Sequence, residues 1–399
     1  MLTQFFPPVA GGQEQHVRNL ASALVRGGHH VEVVTIAVDG HVGTSVDAGV
    51  PVHRIRTTAQ RLPQLYSDPA RPHAMPIVDP GLRRAIGELL GPGQFDIVHG
   101  HDWSIGSAVG PARRAGVPLV LTQHDYSHVC ATKRLMRGDS VCPGPTPIAC
   151  VRCASSWHGP VVGPVVAAAN ALGRHTRTKY VDAFVPVSSV VAVSTRLPGR
   201  SSFTVIPNFI PDDLVVAEAI PHPDGPIVFV GDLSRDKGIE VLIDAHRRLD
   251  DLPQLVLAGR QFEDVQLEPS DRVELRGLLD HASVIDLLQS ACVVVVPSIV
   301  PDCCPTVVLE AMALGRPVVA AASGGIVDLV DDGVTGLLVP PGEPMALSTA
   351  LEAVVNELDT TAEMGRKALE RARSFTASVI VQRVEMLYDR LLSGRTPGR

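Results

Sequence analysis

"SACVVVVPSIVPDCCPTVVLEAMALGRPVVA", residues 290–320, is the stretch whose reading decides the fold. Val293 to Val296 show no alternation of apolar and polar residues, so they read as a parallel strand buried on both faces. Pro305 suits the first helical turn, where its fixed φ fits and its missing N–H costs nothing, and the helical run continues through "TVVLEAMALG". A second apolar strand, "PVVAAA", follows. Asp302 then falls in the loop and Glu310 inside the helix, and a strand, a loop and a helix N-terminus together make an anion site.

The same alternation extends in both directions. Upstream, "PIVFVGDL", "PQLVLAG" and "RVELRG" read as strands, with helices in "KGIEVLIDAHRRL" and "ASVIDLLQSA". The first half repeats the scheme with strands in "LTQFF", "HVEVVTIAV", "FDIVHGH" and "PLVLTQH", and helices in "EQHVRNLASALVRGG" and near 80–91 and 104–115. This predicts an α/β protein of two Rossmann-like units hinged through the Pro-rich "VIPNFIPDD" and "AIPHPDGP", with the ligand crevice between two sheets. The domains are expected at 1–208 and 209–375, followed by an amphipathic helix over 376–392. The first strand is short ahead of its turn, which predicts that the native chain starts upstream.

Composition agrees. Of 399 residues 45% are hydrophobic and 4% aromatic, which suits Val- and Ala-rich strands covered on both faces. No charged leader precedes an apolar run, and no apolar run is long enough to span a bilayer, so a cytoplasmic enzyme is expected. Charge is uneven, +4 over 1–220 and −11 over 221–399, so the halves are expected to meet different partners. G-x-G-x-x-G, G-x-x-x-x-G-K-[ST] and G-x-S-x-G are all missing, which removes dehydrogenase, P-loop and α/β-hydrolase readings; nothing suggests a nucleic-acid partner.

"PPVAGGQEQHVRNLASALVRGGHHVEVVT", "VGDLSRDKGIEVLIDA" and the opening stretch with its trailing "SGGIVDLVDDGVTGLLVPPGE" resemble the large retaining GT-B family of group 1 glycosyltransferases, which includes sucrose synthases and bacterial cell-envelope mannosyltransferases. The resemblance runs from about residue 3 to 390. It implies a GT-B fold: two Rossmann-like domains facing across a cleft, the first binding acceptor and the second the nucleotide sugar, with the last helix crossing back to the first.

Each motif has physics of its own. Gly11 and Gly12 let backbone amides approach an anion at a helix start, or simply make a tight turn. Lys237, a short loop after a strand, can reach a diphosphate as a point charge with Arg235 as a second cation; an exposed helix-start lysine is the bland alternative. The family has Arg directly after Gly231, where this chain has Asp232. The resemblance implies that Glu310 accepts from the ribose hydroxyls and Asp302, in place of a glutamate, from the transferred sugar. It likewise implies that Gly324 and Gly325 bring amides near the sugar, that Thr306 and Val307 line the donor site, and that His124 reaches the donor sugar. His99, His101 and Asp102 end the preceding strand and are weaker acceptor-side candidates; His16, one turn into the first helix, reads as an ordinary surface or core residue.

A segment at about 128–160 stands apart. "CATKRLMRGDSVCPGPTPIACVRC" holds Cys130, Cys142, Cys150 and Cys153 without helical or strand periodicity. Four such thiols suit structural zinc or buried free thiols better than disulfides, whereas Cys303 and Cys304 read as packing residues. The expected function is metal-independent, retaining transfer from a UDP- or GDP-sugar to a saccharide, lipid-linked or small-molecule acceptor, with closure excluding water. Lys133, Arg134 and Arg137 would contact an anionic or membrane-borne acceptor at the inner face of the membrane. A same-fold epimerase and a non-catalytic sugar-nucleotide-binding subunit are the alternatives.

Overall fold

The computed structural model describes residues 1–9, 11–38, 41–61, 72–91, 93–196 and 202–394. The chain forms two compact units, Met1–Pro207 with Val381 onward, and Asn208–Ile380. The first boundary falls inside "VIPNFIPDD", where prolines interrupt regular structure although Ile206, Phe209 and Ile210 are buried.

Unit 1 contains β1 (Leu2–Thr3), β2 (Val33–Ile36), β3 (Gly43–Asp47), β4 (Val50–Ile55), β5 (Val98–Gly100), β6 (Leu119–Gln123), the hairpin β7 (Met136–Arg137) and β8 (Ser140–Val141), β9 (Ala183–Pro186) and β10 (Ser202–Phe203). Its main sheet runs β10-β9-β6-β5-β1-β2-β4-β3. All pairs are parallel except β3 with β4. Unit 2 contains β11 (Ile227–Val230), β12 (Leu255–Ala258), β13 (Val273–Gly277), β14 (Val293–Val296), β15 (Val318–Ala321) and β16 (Gly336–Val339). They form one parallel sheet ordered β13-β12-β11-β14-β15-β16. Counted along the chain that is 3-2-1-4-5-6, the doubly wound order, whose direction reverses between β11 and β14.

The valine run behaves as its composition dictates. All four residues of β14 are buried. Val293 and Val295 join Ile227, Phe229, Leu242, Leu255 and Leu351 in one core, while Val294 and Val296 point to the opposite face by the period of 2. Burying a Val or Leu side chain stabilises by about 1.5–3 kcal/mol, so each such strand supplies several. In unit 1, Leu2, Leu119, Leu121, Phe184 and Ile105 make the equivalent core.

Several boundaries differ from expectation. Pro305, at φ −69° and ψ 120°, caps the helix from outside, and the helix runs Thr306–Ala313. The first strand is only two residues long. The Cys-rich segment is ordered: β7 and β8 pair antiparallel and a helix spans Pro147–His158. The last helix, Ala377–Ser393, enters unit 1 at Val381, where Arg383 donates to Val205 O at 2.7 Å and Tyr388 Oη meets His99 Nδ1 at 2.6 Å. No helix among the described residues is long and apolar enough to cross a membrane.

Two glycines fix the loop after β14. Gly238 has φ +74°, and a methyl group there would overlap the Pro297 carbonyl. Gly324 has φ +60°, and a methyl group there would overlap the backbone of Asp302, whose carbonyl accepts from Gly325 N at 2.5 Å. Ile299 N also donates to Asp236 O at 3.0 Å, and Ser323 Oγ to Val300 O at 2.9 Å. The loop carrying Asp302 is therefore held from both sides. Gly324→Ala should destabilise unit 2 by about 1–3 kcal/mol, since it combines left-handed backbone with steric overlap. Urea unfolding of the full chain checks this, and an unchanged midpoint would show that the loop accommodates the methyl group.

Candidate functional site

The reversal between β11 and β14 splays their loops apart and brings two side chains together. Lys237, at the end of a short 3₁₀ turn, donates to Asp302 Oδ1 at 2.5 Å. Ser298 donates to the other oxygen, Oδ2, also at 2.5 Å. Burial alone would lower the Lys237 pKa, but the charge and hydrogen bond of Asp302 outweigh it and hold the ammonium above its ordinary value. The Lys237 side chain remains 31% exposed against 14% for Asp302, so the cation is the more accessible member.

Glu310 lies one turn into the helix Thr306–Ala313, 11% exposed, with Oε1 3.1 Å from His281 Nε2. The His281 pKa is raised, first by its hydrogen bond to Glu310. Thr306 and Val307, half-buried, open the same helix, and Gly231 follows β11 directly. Arg235 turns away to Glu240, with Nε to Oε2 3.1 Å. Asp232 instead lies 3.7 Å from Arg260, which arrives from the end of β12, so an arginine does reach this region by another route. The amide of Gly325 is taken by Asp302 O.

Unit 1 places polar groups at its own reversal, between β1 and β5. Asp102 is buried and saturated: Oδ2 accepts from Gln4 N at 2.5 Å and Gln13 Nε2 at 3.2 Å, and Oδ1 from Ser104 N at 2.8 Å. Burial pushes its carboxyl upward, and these donors oppose the shift. His101 Nδ1 is 3.0 Å from His124 Nε2, and the His16 ring packs edge-on to His124 with centroids 4.7 Å apart. His99 is engaged structurally by Tyr388 Oη and by Thr122 Oγ1 at 2.7 Å. Burial, reinforced by neighbouring imidazoles, holds His16 and His101 well below 6.5, and His99 is lowered to about 3, so all three are neutral at pH 7. At Gly11, the N-cap of the helix Gly12–Arg26, the buried Glu14 side chain occupies the place a methyl group would take. A carboxylate of the chain itself thus sits at that helix start.

Two family models cover most of the chain, one described as Glycosyltransferase Family 4 over residues 10–214 and one as Glycosyl transferases group 1 over 225–357. The chain belongs to the group 1 glycosyltransferases. A D-inositol 3-phosphate glycosyltransferase of Thermobifida fusca is 30% identical, over 91% of this chain and 85% of that one. A D-inositol 3-phosphate glycosyltransferase of Catenulispora acidiphila is 29% identical, over 96% and 92%. Among solved structures, sucrose-phosphate synthase from Thermosynechococcus elongatus superposes with TM-score 0.75 at 21% identity, covering 99% of this chain and 98% of that one. Anabaena HepE, solved with UDP and glucose, gives 0.70 at 19% identity over 98% of both. These solved structures share the GT-B fold.

The glycosyltransferase also contains site neighbours that sequence reasoning passed over. Ser298 was visible in "VVVVPS" but carried no signal beyond polarity. His281 follows the helix cap Asp280, whose side chain accepts from Ser283 N at 2.8 Å, and reads as cap chemistry. His16 reads as a lone helical histidine until the fold brings it to His124. Gln123, 4% exposed beside His124, has no protein partner for either amide atom among the described residues. Of the three basic residues expected to form a contact patch, Lys133 lies over the Trp103 ring at 4.5 Å, Arg134 over Trp157 at 4.4 Å, and Arg137, which is exposed, donates to Gly144 O at 3.4 Å.

The depressed imidazoles have a thermodynamic consequence. Their unfolded pKa is about 6.5, so below that pH the unfolded chain binds protons that folded His16, His99 and His101 refuse, and stability falls as pH drops. The loss should approach about 1.4 kcal/mol per pH unit for each group and continue toward pH 3, where His99 titrates. His281 acts oppositely, its contribution being full below pH 6.5 and lost as pH rises through its raised pKa, but it is a single, half-exposed group. Urea midpoints from pH 7.5 to 5.0 should fall steadily. A flat profile would mean that the unit 1 imidazoles protonate in place.

Proposed function

We propose that this glycosyltransferase moves a hexosyl group from a UDP- or GDP-sugar to an acceptor hydroxyl, with retention of anomeric configuration and without a catalytic metal. The observation that carries the donor assignment is the Lys237–Asp302 pair at the strand-order reversal of unit 2, with Glu310 in the helix that follows. Lys237 meets the diphosphate, whose leaving oxygen gains negative charge as the glycosidic bond breaks, so the ammonium contributes most in the transition state. Glu310 accepts from both ribose hydroxyls, as a carboxylate can, and Asp302 accepts from hydroxyls of the transferred sugar. His124, neighboured by His101 and His16, offers a hydrogen-bonding imidazole to the sugar.

The acceptor is a saccharide, a lipid-linked saccharide or a small polyhydroxylated molecule of the kind used in cell-envelope polysaccharide or glycolipid synthesis. Because several relatives are D-inositol 3-phosphate glycosyltransferases, inositol phosphates belong in the acceptor screen.

Calorimetry and kinetics separate the roles. Glu310→Ala should weaken free nucleotide and nucleotide sugar alike, by about 1.5–3 kcal/mol. Asp302→Ala should spare free nucleotide and lower turnover. Lys237→Ala should lower kcat by about 3 kcal/mol in barrier terms. Proton NMR of the product should show the donor's anomeric configuration, and activity should survive EDTA. If Asp302→Ala loses free nucleotide as badly as Glu310→Ala, Asp302 only orders its loop. An isomerised nucleotide sugar formed without acceptor, or binding without turnover, would replace the transferase assignment itself.

A further inference from the structure

Cys130, Cys142, Cys150 and Cys153 are all free thiols, and they line a single cavity of about 30 Å³ in unit 1, together with Thr132, Leu135, Met136 and Arg137. They reach it from three directions. Cys130 comes from the loop after β6, Cys142 from the strand end of the β7–β8 hairpin, and Cys150 and Cys153 from one face of the helix Pro147–His158. A C-x-x-C on the first turns of a helix opposite a hairpin is a four-thiol arrangement with one common interior point.

We propose that this quartet binds one Zn²⁺ as a structural tetrathiolate site. The cavity is small, about 30 Å³. On binding, four S–H bonds break, four Zn–S bonds form and four protons leave to solvent, so the site carries two net negative charges. Arg137 is placed to offset them, with Nη2 3.8 Å from Cys142 Sγ. The sulfurs stand wider apart than bound ligands do: among the described residues, the only three His, Cys, Asp or Glu ligand atoms within 4.8 Å of one another belong to His16, His101 and His124. Binding would have to draw the four sulfurs together within a cavity that all four already line. The histidine trio belongs to the site described above, and two of its nitrogens are already hydrogen-bonded to each other.

The surrounding backbone is constrained. Lys133 and Leu135, between the first two cysteines, hold left-handed φ of +64° and +56° without being glycine. Strain of that kind persists only where neighbouring structure imposes it. The helix Pro147–His158 buries Ala154, which joins Trp103, Ala131 and Val166 in a small core beside the cysteines.

The test uses the full chain purified in reducing, chelator-free buffer. Elemental analysis should find close to one zinc per chain, released in step with organomercurial titration of four thiols. Cobalt exchange should give thiolate-to-cobalt charge transfer and tetrahedral d–d bands. Cys150→Ser with Cys153→Ser should lose the zinc while nucleotide affinity stays within about twofold. Background metal with four immediately reactive thiols, disulfides in non-reducing peptide maps, or iron–sulfur absorbance would each overturn the proposal. So would zinc retained by the double variant, which would put it on the histidines. If that variant fails to fold, the wild-type cobalt spectrum and mercurial titration decide.

Discussion

A parallel sheet covered on both faces leaves one place for polar chemistry: the carboxyl ends of its strands, and above all the point where strand order reverses. Everything at the candidate site follows from that constraint. β11 and β14 are neighbours whose following loops depart in opposite directions, and Lys237 and Asp302 fill the gap. β1 and β5 stand in the same relation in unit 1, and there the gap is filled by Asp102 with Gln4 and Gln13. The two units solve one geometric problem with different chemistry.

The difference is electrostatic. A partly buried ion pair such as Lys237–Asp302 gains little net stability, because desolvation offsets most of the Coulomb attraction. Its effect is to hold an ammonium in a fixed place, with Ser298 satisfying the far oxygen of the carboxylate. Among the described residues of unit 1 no ion pair is found at Asp102, which is met by N–H groups, and His16, His99 and His101 are neutral at pH 7.

The fold was largely legible because its signals are local. Four consecutive valines, a glycine after a strand and a helical period each state their meaning within a few residues, and both sheets could be anticipated from them. What escaped depends on distant partners. β3 and β4 pair antiparallel at an edge, and β3 is mostly exposed, so it lacks the apolar run that marks its neighbours. Pro305 was placed one position too far into its helix because a proline's φ fits both N-cap and first turn, and only ψ separates them. His16 and His281 read as ordinary helix residues because their partners lie 108 and 29 residues away. The helix bearing Cys150 and Cys153 has no periodicity in the sequence because it buries one residue and so shows no apolar stripe.

That last element bears on the site as well. The loop that starts at His124 runs without a break into Cys130, and its course is set by a few contacts. Trp103 Nε1 donates to Ser127 O at 2.9 Å, Cys130 N donates to Tyr126 O at 2.8 Å, and Lys133 Nζ lies 3.8 Å from Asp125 while covering the Trp103 ring. Trp103 itself is 2% exposed and packs with Ala131, Ala154 and Val166 in a core that spans both the loop and the cysteine-bearing helix. The backbone three residues after His124 is thus tied to a small core that includes Ala154 of the cysteine-bearing helix.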